Sequence, residues 1–353
     1  MKLLQDGNGW RRMLGQRLIV EKHRVDAETE LRALLDNVQS NGFARLHALW
    51  TLDGLRLLTL ADLVIASQDL DATVRRDVAR LIRTHGPDSA ELQHVAAMLC
   101  HDWDGEVRMQ ALLSLDATTA EAKSAVLKSV PGCLDDLWLQ RALLIGAPNL
   151  AADIAEVVVL QSGAATEIAG RADFLKSLAL NVAARGEIEQ LQKTALLIGD
   201  SKESGLWWQT ALVIGLADGL PRCQNADVPK SLAALLHSPP EPLQESIQAV
   251  TNVVQLAAAT AIDPGHSDAD RIAAMGLMSH LPPQALTDAL QTLLQPAEST
   301  ACQQAAIEAA RRSGRAELSE IVLSHWDQLK PQTRSAALDL LLLRKESVTS
   351  LLG

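Results

Sequence analysis

The chain repeats a phrase of about 32 residues, and this periodicity constrains its fold more than any other feature. LWLQRALLIG (residues 137–146) and LWWQTALVIG (206–215) agree at seven of ten positions and begin 69 residues apart. DATVRRDVARL (71–81) and DGEVRMQALLS (104–114) align with Asp, Val and Arg in register, 33 residues apart. Self-similarity at a period of about 20 to 50 residues is typical of stacked supersecondary units.

Each copy carries a polar anchor residue, usually with an Ala one to four positions later. The anchors are Arg45, Arg75, Arg108, Arg141, Lys176, Gln209, Gln244, Arg271, Gln303 and Arg334. Units of this size cannot bury a core alone and therefore stack on their neighbours. The spacing predicts about ten helical hairpins in an α-solenoid, a curved right-handed superhelix.

The composition also favours helices over strands. Leu and Ala dominate, Tyr is absent and only two Phe occur. Ala and Leu are strong helix formers, whereas sheets favour aromatic and β-branched residues. We therefore predict an all-α chain forming one solenoid over residues 1–353, with N-terminal capping helices in 1–40. SPPEP (238–242) is either a longer loop or a hinge between two stacks, 41–240 and 241–353.

Local signals place the helix ends. Asp71 and Asp104 stand where an N-cap belongs, and Gly146 and Gly215 are predicted to stop their helices because Gly tolerates the left-handed conformation. The helix at 137–146 is apolar nearly all round, except for Gln140 and Arg141. This pattern predicts a helix buried between neighbours.

The net charge is −11, which argues against a general role on nucleic acid, because phosphate binding needs clustered Lys and Arg. Residues 1–83 carry 13 Lys/Arg and 11 Asp/Glu, and the remaining residues have a net charge of −13. The longest apolar run has six residues, 95–100, far short of a membrane span. With no signal peptide at the N-terminus, we expect a cytoplasmic protein, or a periplasmic one if the chain is a piece of a secreted protein.

No cofactor, metal or catalytic residue is predicted. The four cysteines are widely spaced, with no CxxC or CxxCH, which indicates free and mostly buried thiols. CHDWD (100–104) and DPGHSDAD (263–270) contain possible metal ligands, yet each fits a turn with a capping Asp, namely Asp104 and Asp268. Motifs for a nucleophile elbow, a zinc protease or a nucleotide-binding loop are missing from the sequence. The sequence thus favours a protein that is not an enzyme.

The D-x-x-V-R pattern resembles HEAT repeats. The phrases NGWRRMLGQRLIVE (8–21), FARLHALWTLDGL (43–55) and WWQTALVIGLADGL (207–220) resemble a HEAT-rich region of large secreted planctomycete proteins described as membrane-bound dehydrogenases. In that family the region tends to lie between a β-propeller and a c-type cytochrome domain. The resemblance implies a spacer or docking element with a dehydrogenase or cytochrome c partner, without the propeller or the haem-binding motif.

The sequence therefore predicts a protein-binding scaffold whose concave face contacts a protein partner. The predicted contact residues are Arg45, Trp50, Arg75, Trp207 and Trp208. Aromatic and Arg side chains are enriched among residues that dominate binding energy. Two alternatives stay open: a docking component of a dehydrogenase–cytochrome assembly, and a HEAT-like enzyme with an unrecognised site.

Overall fold

The computed structural model describes residues 1–85, 89–162, 169–199 and 206–342. These residues form helices and their connections, with no strand among them. The predicted all-α fold is confirmed. Two compact units are distinguished, Met1–Leu150 and Ala151–Gly353.

The first unit contains nine α-helices in its described part. They are α1 (Gly9–Glu21), α2 (Glu28–Leu35), α3 (Gly42–Gly54), α4 (Leu60–Ala66), α5 (Ala72–His85), α6 (Ala90–Leu99), α7 (Gly105–Leu112), α8 (Ala120–Ser129) and α9 (Leu137–Gly146). Helices α1, α3, α5, α7 and α9 pack each on the next and form one layer. Helices α4, α6 and α8 form a second layer in the same way. This is the hairpin stacking of an α-solenoid.

The second unit repeats this arrangement. Its described helices are α10 (Ala151–Ser162), α11 (Arg171–Arg185), α12 (Ile188–Gly199), α13 (Leu206–Gly219), α14 (Leu232–His237), α15 (Gln244–Ile262), α16 (Asp268–Met275), α17 (Pro283–Leu293), α18 (Thr300–Ser313), α19 (Leu318–Ser324) and α20 (Pro331–Leu341). One layer consists of α11, α13, α16, α18 and α20, and the second layer consists of α10, α12, α15, α17 and α19. We call the helices of the former layer, together with α1, α3, α5, α7 and α9 of the first unit, the first helices. Ten first helices are thus described in the two units, as the spacing predicts. The superhelical hand stays a prediction.

The predicted aspartate caps are present. Asp104 accepts hydrogen bonds from the N–H groups of Glu106 and Val107, and Asp71 accepts one from Thr73 at 2.9 Å. The cap of α16 is Ser267 rather than Asp268, which is the first residue of that helix. Ser238 ends α14 and a short 3₁₀ helix, Glu241–Leu243, follows it. The hinge at 238–242 stays a prediction, placed inside the second unit.

Seven of the ten predicted anchors, together with Arg12 and Gln140, bind the turn or helix end that precedes their own helix. In each case a side-chain nitrogen donates to a backbone carbonyl of that turn or of the preceding helix end. The pairs are Arg12–Asp6, Arg45–Ser40, Arg75–Asp69, Arg108–Asp102, Gln140–Leu134, Gln209–Ile198, Arg271–Ala261, Gln303–Gln295 and Arg334–Trp326. These carbonyls lack a partner within a helix, so the anchors satisfy them.

The sequence alignment misassigned three anchors and missed one. Lys176 of α11 pairs with Asp218 of α13 at 2.8 Å and makes no described bond to the preceding turn. In α9 the anchor is the buried Gln140, whereas Arg141 is exposed. Gln244 begins α15, which belongs to the second layer. Arg12 of α1 makes the same clamp as the repeats that follow, and its helix is one of the ten.

Of the two predicted helix stops, Gly146 does end its helix and Gly215 does not, and both glycines are points of close contact between helices. Gly146 is the last residue of α9 but does not adopt a positive φ, and Gly215 lies inside α13. A Cβ at Gly146 would overlap the carbonyl oxygen of Leu112 in α7, and one at Gly215 would overlap that of Lys176 in α11. Glycine is therefore needed at both positions because neighbouring first helices touch there.

Candidate partner-binding surface

Two of the predicted contact residues, Arg45 and Arg75, are buried ion-pair partners. Arg45 pairs in bidentate fashion with Asp69, with both nitrogen–oxygen distances 2.7 Å. Arg75 pairs likewise with Asp102 at 2.7 and 2.8 Å. The side chains of Arg75 and Asp102 are each 7% exposed. Both arginines are therefore structural, and we exclude them from the partner surface.

These pairs form a continuous arginine–aspartate ladder, consisting of Arg45, Asp69, Arg75, Asp102 and Arg108. Arg75 also donates to the backbone carbonyl of Asp69, and Arg108 donates to that of Asp102. Burial would raise the pKa of Asp102, but hydrogen bonds from Arg75 and from the Asp104 N–H bring it below its usual value. The ladder holds the turns before α5 and α7 in place through charge-assisted hydrogen bonds.

The three predicted tryptophans differ in exposure. Trp208 is 1% exposed and lies in the core of the second unit, so it presents nothing to a partner. Trp207 and Trp50 are partly exposed. Trp50 lines a shallow groove of about 420 Å³ between α1 and α3, and the Arg80 guanidinium lies 5.8 Å from its ring centroid.

A row of exposed apolar side chains marks the beginnings of the first helices in the first unit. We call this row the aromatic edge; its members, with their exposed fractions, are Trp10 (83%), Phe43 (49%), Leu70 (76%), Trp103 (77%) and Trp138 (64%). Trp10, Phe43 and Trp138 are each the second residue of a helix, and Leu70 and Trp103 lie in the turns before α5 and α7. Aligned exposed apolar residues of this kind mark interaction sites.

The aromatic edge is what the sequence analysis missed. Trp138 was expected to be buried, because its helix is apolar nearly all round; instead Leu143 faces the core while Trp138 and Ile145 face solvent. A usable signal was present in the sequence. Trp10, Phe43 and Trp138 each stand two residues before an anchor, which is the same position of the repeat.

Arginine side chains support the rings of this edge. The guanidinium of Arg12 lies 4.9 Å from the Phe43 centroid, and that of Arg75 lies 4.9 Å from the Trp103 centroid. In each case the arginine belongs to one repeat and the ring to the next. Such cation–π contacts fix the ring orientation while leaving the outer face accessible.

The edge includes a groove between α7 and α9 of about 650 Å³. Met109 and Trp138 supply apolar surface, and Asp104, Glu106 and Asp136 supply carboxylates. Asp104 and Asp136 each use one oxygen to cap a helix, and Glu106 pairs with Arg76 at 2.8 Å. The groove therefore combines an exposed indole with an acidic rim.

The four cysteines are free and buried, as predicted. Burial raises the pKa of the Cys133 thiol to about 11 and that of Cys100 further still. Their thiolate fraction at neutral pH is therefore small, and thiolates are the reactive form. Within the described ranges, no group of three or more His, Cys, Asp or Glu is arranged to hold a metal ion.

No single helix of the described residues is long and apolar enough to cross a membrane; one broken pair, Leu137–Gly146 with Pro148–Ser162, passes on length and composition alone. No protein-family model and no curated protein matches the sequence. Among solved structures, the chain is similar to Kap121p in its complex with Pho4p, with a TM-score of 0.48 and 11% identity. The match covers 96% of this chain and 44% of that one, so the chain spans less than half the length of Kap121p.

Proposed function

We propose that this protein is a protein-binding scaffold and that the aromatic edge is its contact surface. The observation that carries the proposal is the exposure of Trp10, Trp103 and Trp138 at or just before the beginnings of the first helices in the first unit. Tryptophan side chains are costly to expose to water and are among the commonest binding hot spots. A partner that covers the edge would remove this apolar surface from water.

The chemistry of the groove between α7 and α9 favours a partner with basic and apolar side chains. Asp104, Glu106 and Asp136 line the groove beside a single cation, Arg76, and Trp138 supplies apolar surface. Residues 1–150 carry 17 Lys/Arg and 20 Asp/Glu, so the partner meets a mildly acidic unit. We expect association to slow as salt rises, because electrostatic steering is screened.

The test compares three baits in a pull-down from the native cell extract: the wild type, the double variant Trp103→Ala/Trp138→Ala, and Ile145→Ala. Ile145 is a matched control because it is 68% exposed and lies on the same helix as Trp138, at its opposite end. Loss of a hot-spot side chain costs about 2 kcal/mol or more, which corresponds to roughly thirtyfold in affinity.

We expect a partner that is captured in stoichiometric amount by the wild type and by Ile145→Ala but lost with the double variant. Equal capture by all three baits would show that the aromatic edge is not the contact surface. The visible spectrum of the same eluate tests the partner implied by the family resemblance, since a cytochrome c would be recognised by its haem absorption.

A further inference from the structure

The second unit contains a partly open pocket of about 330 Å³, whose lining residues include none that the proposed function uses. Apolar walls come from Leu236 on α14, Val254 on α15, and Leu281 and Pro283 at the beginning of α17. This volume lies at the lower end of the range for small-ligand sites, which is about 300 to 1,000 Å³. Apolar walls with a few polar groups are typical of such sites.

The pocket contains an arginine with an unused donor group. Arg315 follows the left-handed Gly314 that ends α18, and its Nη2 donates to the carbonyl oxygen of Leu281 at 2.7 Å. Its Nη1 is buried and has no hydrogen-bond partner. The Arg315 guanidinium lines the pocket and makes one described hydrogen bond, so it has further capacity to donate to an acceptor there.

The positive charge of Arg315 is not neutralised by the pocket itself. None of the described residues that line it is acidic, and arginine keeps its charge at neutral pH. His280 also lines the pocket, and burial lowers its pKa to about 4, so its imidazole is neutral at pH 7. Arg315 is partly exposed, and no carboxylate among the described lining residues offsets its charge, so an anion that enters the pocket would pair with it.

We propose that this pocket binds a small carboxylic acid, with the carboxylate on the guanidinium of Arg315 and a short apolar stem against Leu236 and Val254. Guanidinium groups bind carboxylates through strong charge-assisted hydrogen bonds. Gln255 and Thr251, which also line the pocket, supply further hydrogen-bonding groups near its wall. This site is independent of the aromatic edge and would exist whether or not that edge binds a protein.

The experiment measures hexanoate binding to the full chain by isothermal titration calorimetry, with hexan-1-ol as the neutral analogue of equal length. We expect saturable hexanoate binding and at least about tenfold weaker binding of the alcohol, since a hydrogen bond to a charged group contributes about 1.5 to 3 kcal/mol. Equal binding of both compounds would overturn the proposal, because the carboxylate would then not be recognised.

Two pairs of variants locate the site. Arg315→Gln should weaken hexanoate binding at least about tenfold, whereas Arg312→Gln, which removes the same charge from an exposed pair with Glu308, should not change it. Ala233→Phe should fill the pocket from its exposed rim and abolish binding, whereas Ala234→Phe on the neighbouring exposed position should retain it. Hexanoate binding that survives both Arg315→Gln and Ala233→Phe would place it elsewhere and refute the assignment.

A readout in the wild type remains if Arg315→Gln fails to fold. The groups that act on His280 are Asp218 on α13, which raises its pKa, and Arg312 and Arg315, which lower it after burial. A bound carboxylate would offset Arg315, so the His280 imidazole should titrate at higher pH with hexanoate than without it. An unchanged NMR titration of His280 at saturating hexanoate would contradict a carboxylate in this pocket.

A carboxylate on an apolar stem also occurs at the C-terminus of a protein that ends in an apolar residue. A pentapeptide ending in Leu, with a free or an amidated C-terminus, separates the two sources. Binding of hexanoate but not of the free-acid peptide indicates a small acid. Binding of the free-acid peptide, without binding of its amide or of hexanoate, would show that the pocket takes the C-terminus of a protein and would overturn the small acid as its ligand. If neither hexanoate nor the free-acid peptide binds, the carboxylate site itself is overturned.

Discussion

At the scale of single residues, the arginine–aspartate ladder consists of charged side chains that bind one another in the interior instead of facing solvent. Arg75 lies in the interior and is matched by two carboxylate oxygens of Asp102 and one backbone carbonyl of Asp69. Desolvation of both ions offsets much of their attraction, so such a pair adds little net stability. Removing only one member of the pair lowers the free energy of unfolding far more, because the remaining charge stays buried without a partner.

We therefore expect Arg75→Ala to lower the free energy of unfolding by about 3 to 5 kcal/mol. The matched control is Arg17→Ala, which breaks an exposed pair with Glu21 whose side chains are 71% and 55% exposed. That change should cost less than about 1 kcal/mol. Urea denaturation of the two variants beside the wild type measures both values, and equal losses would mean that the ladder is not buried in solution.

His280 predicts a dependence of stability on pH. Its pKa is about 4 in the folded protein, lowered by burial, whereas an unfolded histidine titrates near about 6.5. The unfolded chain thus binds more protons between these values, and the free energy of unfolding falls as pH drops from about 6.5 to 4, by up to about 3 kcal/mol.

The variant His280→Gln should lose this part of the pH dependence while keeping the part that comes from carboxylates. Urea denaturation between pH 4 and pH 7 measures both proteins. Parallel stability curves for the wild type and the variant would show that His280 titrates normally in the folded state.

At the scale of helices, first helices approach closely enough to exclude a single methyl group. Gly146 of α9 lies against the backbone carbonyl of Leu112 in α7, and Gly215 and Gly219 of α13 lie against those of Lys176 and Leu180 in α11. A carbonyl oxygen cannot move without disturbing its helix. The glycines therefore set the distance between consecutive repeats.

We expect Gly146→Ala to lower the free energy of unfolding by about 1 to 3 kcal/mol through overpacking. Gly105→Ala in α7 is the control, because its new Cβ would meet only the tip of Arg108 at 3.8 Å. That variant should match or exceed the wild type, by up to about 1 kcal/mol, since Ala reduces the entropy of the unfolded chain. Thermal denaturation of both proteins distinguishes them; a stable Gly146→Ala variant would contradict the contact with α7.

At the scale of the whole molecule, described helices pack mainly on helices of their own hairpin and of the adjacent hairpins. In such arrays stability is a sum of repeat terms and nearest-neighbour interface terms. A local defect should therefore weaken its own repeat and the adjacent repeats more than distant ones. This behaviour differs from that of a domain with a single core.

Hydrogen exchange measured by mass spectrometry tests this expectation with Arg75→Ala. Protection should fall in α5, α6 and α7, which pack on one another, and should stay close to the wild type in α16, α18 and α20 of the second unit. A uniform loss of protection in all these helices would show that the chain unfolds as one cooperative body.

Most of the fold was predictable because its signals are local or repeat at short range. Asp71, Asp104 and Asp136 cap the helices that follow them, as their positions in the repeat indicate. Helix formation depends on interactions between residues three or four apart in the sequence. The repeat length is the number of residues between equivalent positions of two matching phrases. The aromatic edge was not predicted, because helical periodicity does not show whether an apolar face meets a neighbour or water.

The sequence by itself determined an all-α chain of about ten stacked hairpins, with capped first helices and buried free thiols. Only the tertiary structure decided that Trp138 is 64% exposed while Trp207, its counterpart in the matching phrase, is only partly exposed. It likewise decided that Gly215 lies within its helix, and that Arg315 reaches Leu281 from 34 residues away with one nitrogen unpaired. The physical reason is the same in each case: burial and pairing depend on groups that packing brings together from distant parts of the chain.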